Sequence, residues 1–284
     1  MKLRKARRYI YGLTGYPLGH SVSPFIHKAL FDICGYNEAV YGIVETPPDE
    51  LEKTYKETLS ALRGFNVTIP YKTDIIKYLD ELSARAELFG AVNTVDIRED
   101  KVVGHNTDCA GFLCALKMAD IELAGKVLLL GSGGVSRMIA FESILAGAEL
   151  TVASRNEEKA DVIKQEIKDK LNKDCNVIDL ADVTPEYDLI VNGTPVGMYP
   201  NVDDCPVSET VVKGAKAVYD VIYNPQETVL IKYAKKNGIK CSSGLSMLVW
   251  QAAVAQQIWN GVTFSDEDIQ KVIDLTQKEL EKNE

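Results

Sequence analysis

Apolar residues in this chain fall into two patterns that alternate nearly from end to end. In residues 64–69, Phe65, Val67 and Ile69 alternate with Asn66 and Thr68, the period of a half-buried strand that breaks at Pro70 and delivers Lys72. The same signal predicts strands over residues 9–14, 39–44, 64–68, 93–97 and 101–104. Between them, apolar faces recurring every three or four residues predict helices over 23–33, 48–62 and 83–89. The capping side chains of Asn106, Thr107 and Asp108 start another, running to about residue 118. Further on, KVLLL (126–130) is a continuous apolar run suited to a fully buried parallel strand, and a second strand is expected at 149–153. YDLIVNG and KAVYDVIYNP continue the alternation, and the last quarter reads as helix over 245–260 and 266–282. Strand and helix in turn predict an α/β protein with parallel sheets under covering helices, in two domains that meet near residue 108.

Composition supports that picture and narrows the partners. At 284 residues and 46% hydrophobic, the chain can fill two cores. A net charge of −9 with both signs interspersed carries no footprint for nucleic acid. The start, MKLRKARRYIYGLTG, is basic, but its apolar stretch is too short for a signal peptide, so an unstructured lead into the first strand is expected. Residues 241–265 hold no charge yet include serines, three glutamines and an asparagine, which predicts a buried helix and no membrane span. Cys34, Cys109, Cys114, Cys175, Cys205 and Cys241 are scattered without CxxC pairs, as in reduced, cytoplasmic proteins. No two of His20, His27 and His105 stand at metal-ligand spacing on a helix, so no metal is expected.

Gly131, Ser132, Gly133 and Gly134 follow the 126–130 strand at once and open a helix. Glycines there allow a tight turn and let a pyrophosphate approach the backbone, where free amides and the helix dipole favour an anion. The third fingerprint position is Ser136, still small. A site for NAD carries an acid at the end of the second strand, whereas this chain reads Ala153, Ser154, Arg155 and Asn156. A guanidinium in place of a carboxylate favours a 2′-phosphate and therefore NADP, with Glu157 and Glu158 nearby as a counterweight.

In the first domain, GYPLGHSVSPFIHKAL (15–30) is a loop opening a helix, with Ser23 as expected cap and Pro24 in the first turn. Ser21 and Ser23, after a glycine-containing loop and His20, make a pocket for a small anion such as a carboxylate. GAVNT (90–94) and HNTDCAG (105–111) place Asn93, Thr94, Asn106, Thr107 and Asp108 at element ends, where amides, hydroxyls and a carboxylate can grip a polyhydroxylated ligand. Taken one at a time, each is also an ordinary cap or turn residue.

The strings GYPLGHSVSP, NVTIPYK, GAVNT, NTDCAG, GSGGVSR, NGTPVGM, DVIYNP and GLSMLVWQ, in this order from Gly15 to Gln251, resemble the shikimate dehydrogenase family. The resemblance implies reversible reduction of 3-dehydroshikimate to shikimate with NADPH, on the route to aromatic amino acids. It implies a discontinuous α/β substrate-binding domain, residues 1–108 plus 245–284, interrupted by a Rossmann-type NADP-binding domain at 109–244. By similarity Lys72 and Asp108 are the catalytic pair. Ser21 and Ser23 take the substrate carboxylate, Thr68, Asn93, Asp108 and Gln251 its hydroxyls, and Tyr223 borders substrate and nicotinamide. Gly131, Ser132, Gly133, Gly134, Ser154, Arg155, Thr194, Val221, Gly244 and Met247 line the cofactor. The family works on small molecules, as monomer or homodimer. The strand end Ser-Arg-Asn departs from the family's usual Asn-Arg-Thr, which bears on the adenosine contacts. Relatives that also oxidise quinate often carry threonine at the second serine and an acid at the cofactor strand end; here stand Ser23 and no such acid. An NAD-using quinate/shikimate or aminoshikimate dehydrogenase is the nearest rival. From another class, a silent ligand-binding regulator would lack Lys72 or Asp108, and a nicotinamide enzyme for another hydroxy acid fits the local motifs alone.

Overall fold

A computed structural model describes residues 9–19, 21–99 and 101–282; the basic start and His20 lie outside the described residues. In chain order, β1 (Ile10–Gly15), α1 (Ser23–Cys34), β2 (Val40–Glu45), α2 (Leu51–Glu57), β3 (Gly64–Val67) and β4 (Glu81–Leu82) lead to α3 (Ala84–Phe89), β5 (Thr94–Ile97), β6 (Val102–His105) and α4 (Asp108–Met118). Then come β7 (Lys126–Leu130), α5 (Gly134–Leu145), β8 (Glu149–Ala153), α6 (Glu157–Leu171), β9 (Asn176–Ile178), β10 (Leu189–Asn192), α7 (Glu209–Lys213), β11 (Ala217–Asp220), α8 (Val229–Lys236) and β12 (Lys240–Ser243). Two helices, α9 (Leu245–Asn260) and α10 (Asp266–Glu281), end the chain. The chain divides into a first unit, up to Gly111 and again from Val249, and a second, Phe112–Leu248. None of the described helices is long and apolar enough to cross a membrane.

The sheet of the first unit runs β2-β1-β3-β5-β6-β4 and is mixed, where strand–helix alternation predicts a parallel one. β1 pairs in parallel with β2 and β3, but β5 runs antiparallel to both β3 and β6. The β5–β6 pairing follows from their short link: a parallel return needs a crossover of a dozen residues or so, and a few allow only a hairpin. The outcome decides the site, because the carboxyl ends of β1, β3 and β6 and the amino end of β5 all come to one edge of the sheet.

Helices of the first unit are tied to this sheet by polar side chains. His27 on α1 is fully buried and stacks on Tyr41 of β2, with ring centroids 3.9 Å apart, and its Nδ1 meets the amide Nε2 of Gln256 on α9 at 2.8 Å. Burial pushes the imidazole pKa down to about 3, so the ring is neutral. At the other end of α9, Arg63 donates to the carbonyl of Trp259 (2.6 Å) and Arg98 to that of Ile258 (2.9 Å), completing last-turn carbonyls that lack helical partners. Asp96, nearly buried between them, pairs with both guanidinium groups. Two local expectations change. The helix expected over 48–62 stops at Glu57, because Thr58 leaves helical geometry (φ −128°) and the fully buried Leu59 turns into the core through a 3-10 segment. Ser23 lies inside the first turn of α1 instead of capping it; Val22 is the cap residue, and the hydroxyl of Ser21 accepts from the Ser23 N–H at 3.3 Å.

The second unit is wholly parallel, in the order β12-β11-β10-β7-β8-β9. β10 and β11 are buried at every residue and β7 at four of five, as a sheet covered on both faces requires. The strand order reverses between β7 and β10, and in such sheets ligands bind outside the carboxyl ends at that reversal. Gly131, Ser154, Val221 and Gly244 follow directly on carboxyl ends of these strands, and Thr194 stands one residue further past β10.

Candidate active site

Lys72 and Asp108 meet at that edge in the first unit. The Lys72 ammonium lies 2.5 Å from Oδ2 of Asp108, with the two side chains 32% and 22% exposed, so the pair is partly shielded yet open to a ligand. The main chain sets the lysine in place. Past β3 the Thr68 N–H donates to the Thr14 carbonyl (2.9 Å), Tyr71 N–H returns to the Thr68 carbonyl (3.0 Å), and the Lys72 carbonyl accepts from Val92 N–H (2.7 Å). The Tyr71 hydroxyl, buried in the core, donates to the carbonyls of Thr46 and Pro47. Asp108 opens α4, with its N–H received by the Asn106 side chain at 3.2 Å. Its second oxygen accepts from Nδ2 of Asn93 at 2.8 Å. Asn93 itself is pinned: its Oδ1 accepts from Thr107 N–H at 2.7 Å and from the Thr94 hydroxyl at 3.1 Å.

Three of the sequence candidates, Lys72, Asp108 and Asn93, are thus joined directly. Thr68 is half-buried on the same sheet edge, and its hydroxyl has no bond among the described residues. Ser21 and Ser23 lie where β1 runs into α1, on the edge shared with Thr68 and Lys72 through the β1–β3 pairing and the Tyr16 N–H to Ile69 carbonyl bond of 3.0 Å. Gln251 sits half-buried on α9. Behind Asn93 lies a layer that sequence patterning missed. Asn66 donates to the Asn93 carbonyl (3.1 Å) and the Thr94 hydroxyl (2.9 Å), and accepts from the Tyr41 hydroxyl (2.7 Å). In a strand read by alternation Asn66 belongs to the polar, outward face, yet it is 5% exposed. A buried amide needs partners for both its ends, and this one finds them.

In the second unit the loops are built from backbone. Gly131 has φ +102°, the left-handed region open to glycine, and its N–H closes on the Ala153 carbonyl at 2.8 Å. A side-chain carbon added at Gly133 or Gly134 would meet nothing within 4 Å, so the chain leaves free space over the first turn of α5, whose amides no side chain caps. Ser136 is fully buried, its hydroxyl donating to the Gly193 carbonyl at 3.2 Å. The small third fingerprint residue therefore fastens the loop after β7 to the loop after β10. Ser132 and Ser154 hydroxyls lie 2.9 Å apart, and Ser154 also accepts from Asn156 N–H. Arg155 is exposed with no ion pair among the described residues, and the same holds for Lys159 one turn into α6. Free amides at a helix start, an open glycine face and unpaired cations beside it fit a dinucleotide carrying an extra phosphate. Among the described residues no three of His, Cys, Asp and Glu gather as a metal site.

A buried pair also missing from the sequence reading closes the inner side of these loops. Asn192 at the end of β10 and Asp220 at the end of β11 are fully buried and bonded to each other at 3.0 Å. Thr194 donates both its N–H (3.0 Å) and its hydroxyl (2.7 Å) to Asn192 Oδ1. Tyr223 is half-buried in the segment after β11, and Met247 is buried in the first turn of α9.

Residues 13–95 match the family model described as the shikimate dehydrogenase substrate binding domain. A shikimate dehydrogenase (NADP(+)) from Caldanaerobacter subterraneus subsp. tengcongensis is 41% identical over 264 residues, covering 91% of this chain and 94% of that one. A crystal structure of shikimate dehydrogenase in complex with NADP+ superposes with a TM-score of 0.87 at 39% identity, over 95% of this chain and 96% of that one. Shikimate 5-dehydrogenase from Thermus thermophilus, in complex with NADP(H) and shikimate, gives 0.84 at 33% identity, over 94% and 99% of the two chains.

Proposed function

Because the chain belongs to the shikimate dehydrogenase family, we propose that it reduces 3-dehydroshikimate to shikimate with NADPH, reversibly, in aromatic amino-acid biosynthesis. The observation that carries the chemistry is the Lys72–Asp108 pair, shielded but open, with Asn93 on the carboxylate's other oxygen. Reduction of a ketone needs hydride at carbon and a proton at oxygen, and NADPH when bound supplies the hydride. Lys72 supplies the proton from Nζ and, as an ammonium, stabilises charge developing on the oxygen. An ammonium has three donors; one is engaged by Asp108, which leaves two for a ligand. Asp108 has both oxygens engaged, so it orients the lysine and its own position is set by Asn93. Ser21 and Ser23 receive the substrate carboxylate, and Thr68, Asn93, Asp108 and Gln251 its hydroxyls. Tyr223, in the segment after β11, borders the nicotinamide.

NADP is held by Gly131, Ser132, Gly133 and Gly134 at the diphosphate and by Ser154 and Arg155, with Lys159, at the adenosine phosphate. Thr194, Val221, Gly244 and Met247 take the nicotinamide end. Six free cysteines suit a reducing, cytoplasmic setting. The enzyme acts on small molecules alone, as monomer or homodimer. The test is to compare initial rates on shikimate and quinate with NADP+ and NAD+. Shikimate with NADP+ should be the fastest pair by a wide margin; faster turnover of quinate or a preference for NAD+ would overturn the assignment.

A further inference from the structure

The carboxylate of Asp220 sits where three loops of the second unit converge. Its Oδ1 accepts from Asn192 Nδ2 and from Ile222 N–H, both at 3.0 Å, and its Oδ2 accepts from the Thr228 hydroxyl at 2.7 Å. Each partner passes the restraint on. Asn192 holds Thr194 by two bonds, and Thr194 receives Val196 N–H at 3.2 Å, which shapes the loop after β10. Thr228 caps α8, receiving Ile231 N–H, and ends the segment that carries Tyr223. The carbonyl of Ile222 accepts from Gly244 N–H at 3.0 Å, and a side-chain carbon at Gly244 would fall 2.0 Å from the Val221 carbonyl oxygen. Thr194, Val221, Tyr223 and Gly244, four residues assigned above to the nicotinamide end, are therefore one or two bonds from a single buried charge.

We infer that Asp220 is a positioning residue for the cofactor: its carboxylate clamps the loops after β10 and β11, and through Ile222 the start of α9, into the shape that receives the nicotinamide half of NADPH. The inference rests on the placement of NADP in the second unit proposed above. Purely structural duty would not require a charge. An apolar or amide side chain at a strand end is less costly to bury than a carboxylate, and here the charge is matched by three donors from three segments. The site also has a switchable element. Burial raises the Asp220 pKa to about 6, so the group is ionised at neutral pH and takes up a proton in mild acid. The other titratable groups facing it, Tyr219 on β11 and Cys205 before α7, are both raised and stay neutral across that range. A protonated carboxyl points a hydrogen at Thr228 in place of a lone pair, and asparagine does the same.

Asp220→Asn therefore imitates the acid form. Binding of NADPH, followed by its fluorescence on the unloaded protein, is expected to weaken about tenfold at pH 8, as loss of a charge-assisted bond implies, while the KM for shikimate stays at the wild-type value. The mutant-to-wild-type ratio of Kd should then fall towards one below pH 6; the cofactor's own phosphate titrates there too but is common to both proteins. A ratio of one at pH 8, or equal losses for NADPH and shikimate, would overturn the inference. Should Asp220→Asn fail to fold, Thr228→Val is expected to weaken NADPH binding several-fold and Thr228→Ser to keep it; wild-type binding by Thr228→Val overturns the clamp equally. Arg155→Ala is run alongside. If it weakens NADPH binding and the Asp220 and Thr228 variants do not, the cofactor site stands and the positioning role falls; if none weakens it, both fall.

Discussion

The two units build their candidate sites from opposite materials. In the first, reactive side chains are bonded to one another before any ligand arrives: Lys72 to Asp108, Asp108 to Asn93, Asn93 to Thr94 and Thr107, with Asn66 and Tyr41 behind. In the second, the receiving surface is glycine backbone and open space, and the stiffening side chains, Asn192 and Asp220, stand behind it. Chemistry explains the contrast. A proton must be delivered to one oxygen, which demands a side chain held to a fraction of an ångström. A diphosphate is gripped by several amides at once, which demands that side chains stay out of the way.

Acid should separate the units most strongly. His27 is neutral when folded, with a pKa lowered to about 3 from an unfolded value near 6.5. Between those values the unfolded chain binds the extra proton, so stability is present above about 6.5 and is lost as pH falls towards 3, by on the order of a few kcal/mol. Asp220, raised to about 6, has the opposite sign and gives up nothing on acidification. Hydrogen exchange from pH 7 to pH 4 should therefore show the first unit losing protection ahead of the second, and His27→Gln should flatten that slope. Equal loss in both units would remove His27 as the cause.

Replacing Lys72 by alanine tests the chemical side of the comparison: turnover should drop about 100-fold or more, with shikimate binding nearly intact. Steady-state rates near wild type would take the proton away from this residue. On the backbone side, Gly131→Ala should cost about 1–3 kcal/mol of stability in denaturant melts, because φ is +102° and the new carbon would lie 2.8 Å from the Thr194 methyl. Gly133→Ala is the matched control, expected within about 0.5 kcal/mol of wild type since its new carbon meets nothing. A smaller effect is expected at the phosphate end: Arg155→Ala should raise the KM for NADPH about tenfold and leave that for NADH nearly unchanged. Equal changes for both cofactors would exclude Arg155 from phosphate recognition.

Much of this contrast can be read along the chain. The glycine loop and its flanking strands follow from local rules, because an apolar run, a tight turn and a helix start are neighbours in sequence, and β7, α5 and β8 lie where periodicity puts them. The α9 boundaries, residues 245–260, are equally legible, since an uncharged, mostly apolar stretch ending at Asn-Gly is a local signal. Reading fails where a residue answers to distant partners. Asn66 sits on a polar position of an alternating strand, and only the neighbouring strands make it buried and bonded. Asp220 in DVIYNP carries no local sign of burial; its donors come from residues 192, 222 and 228.

By itself, the sequence determines the α/β class, the glycine turn after β7 and the residue types available for catalysis, because helix and strand periods and glycine turns are properties of consecutive residues. Tertiary structure alone decided that β5 pairs antiparallel with the distant β3, bringing Asn93 and Asp108 to the edge where Lys72 emerges, and that Asp220 is buried among three loops. Strand direction in a sheet and the burial of a charge depend on what lies across space, and no window of neighbouring residues contains that.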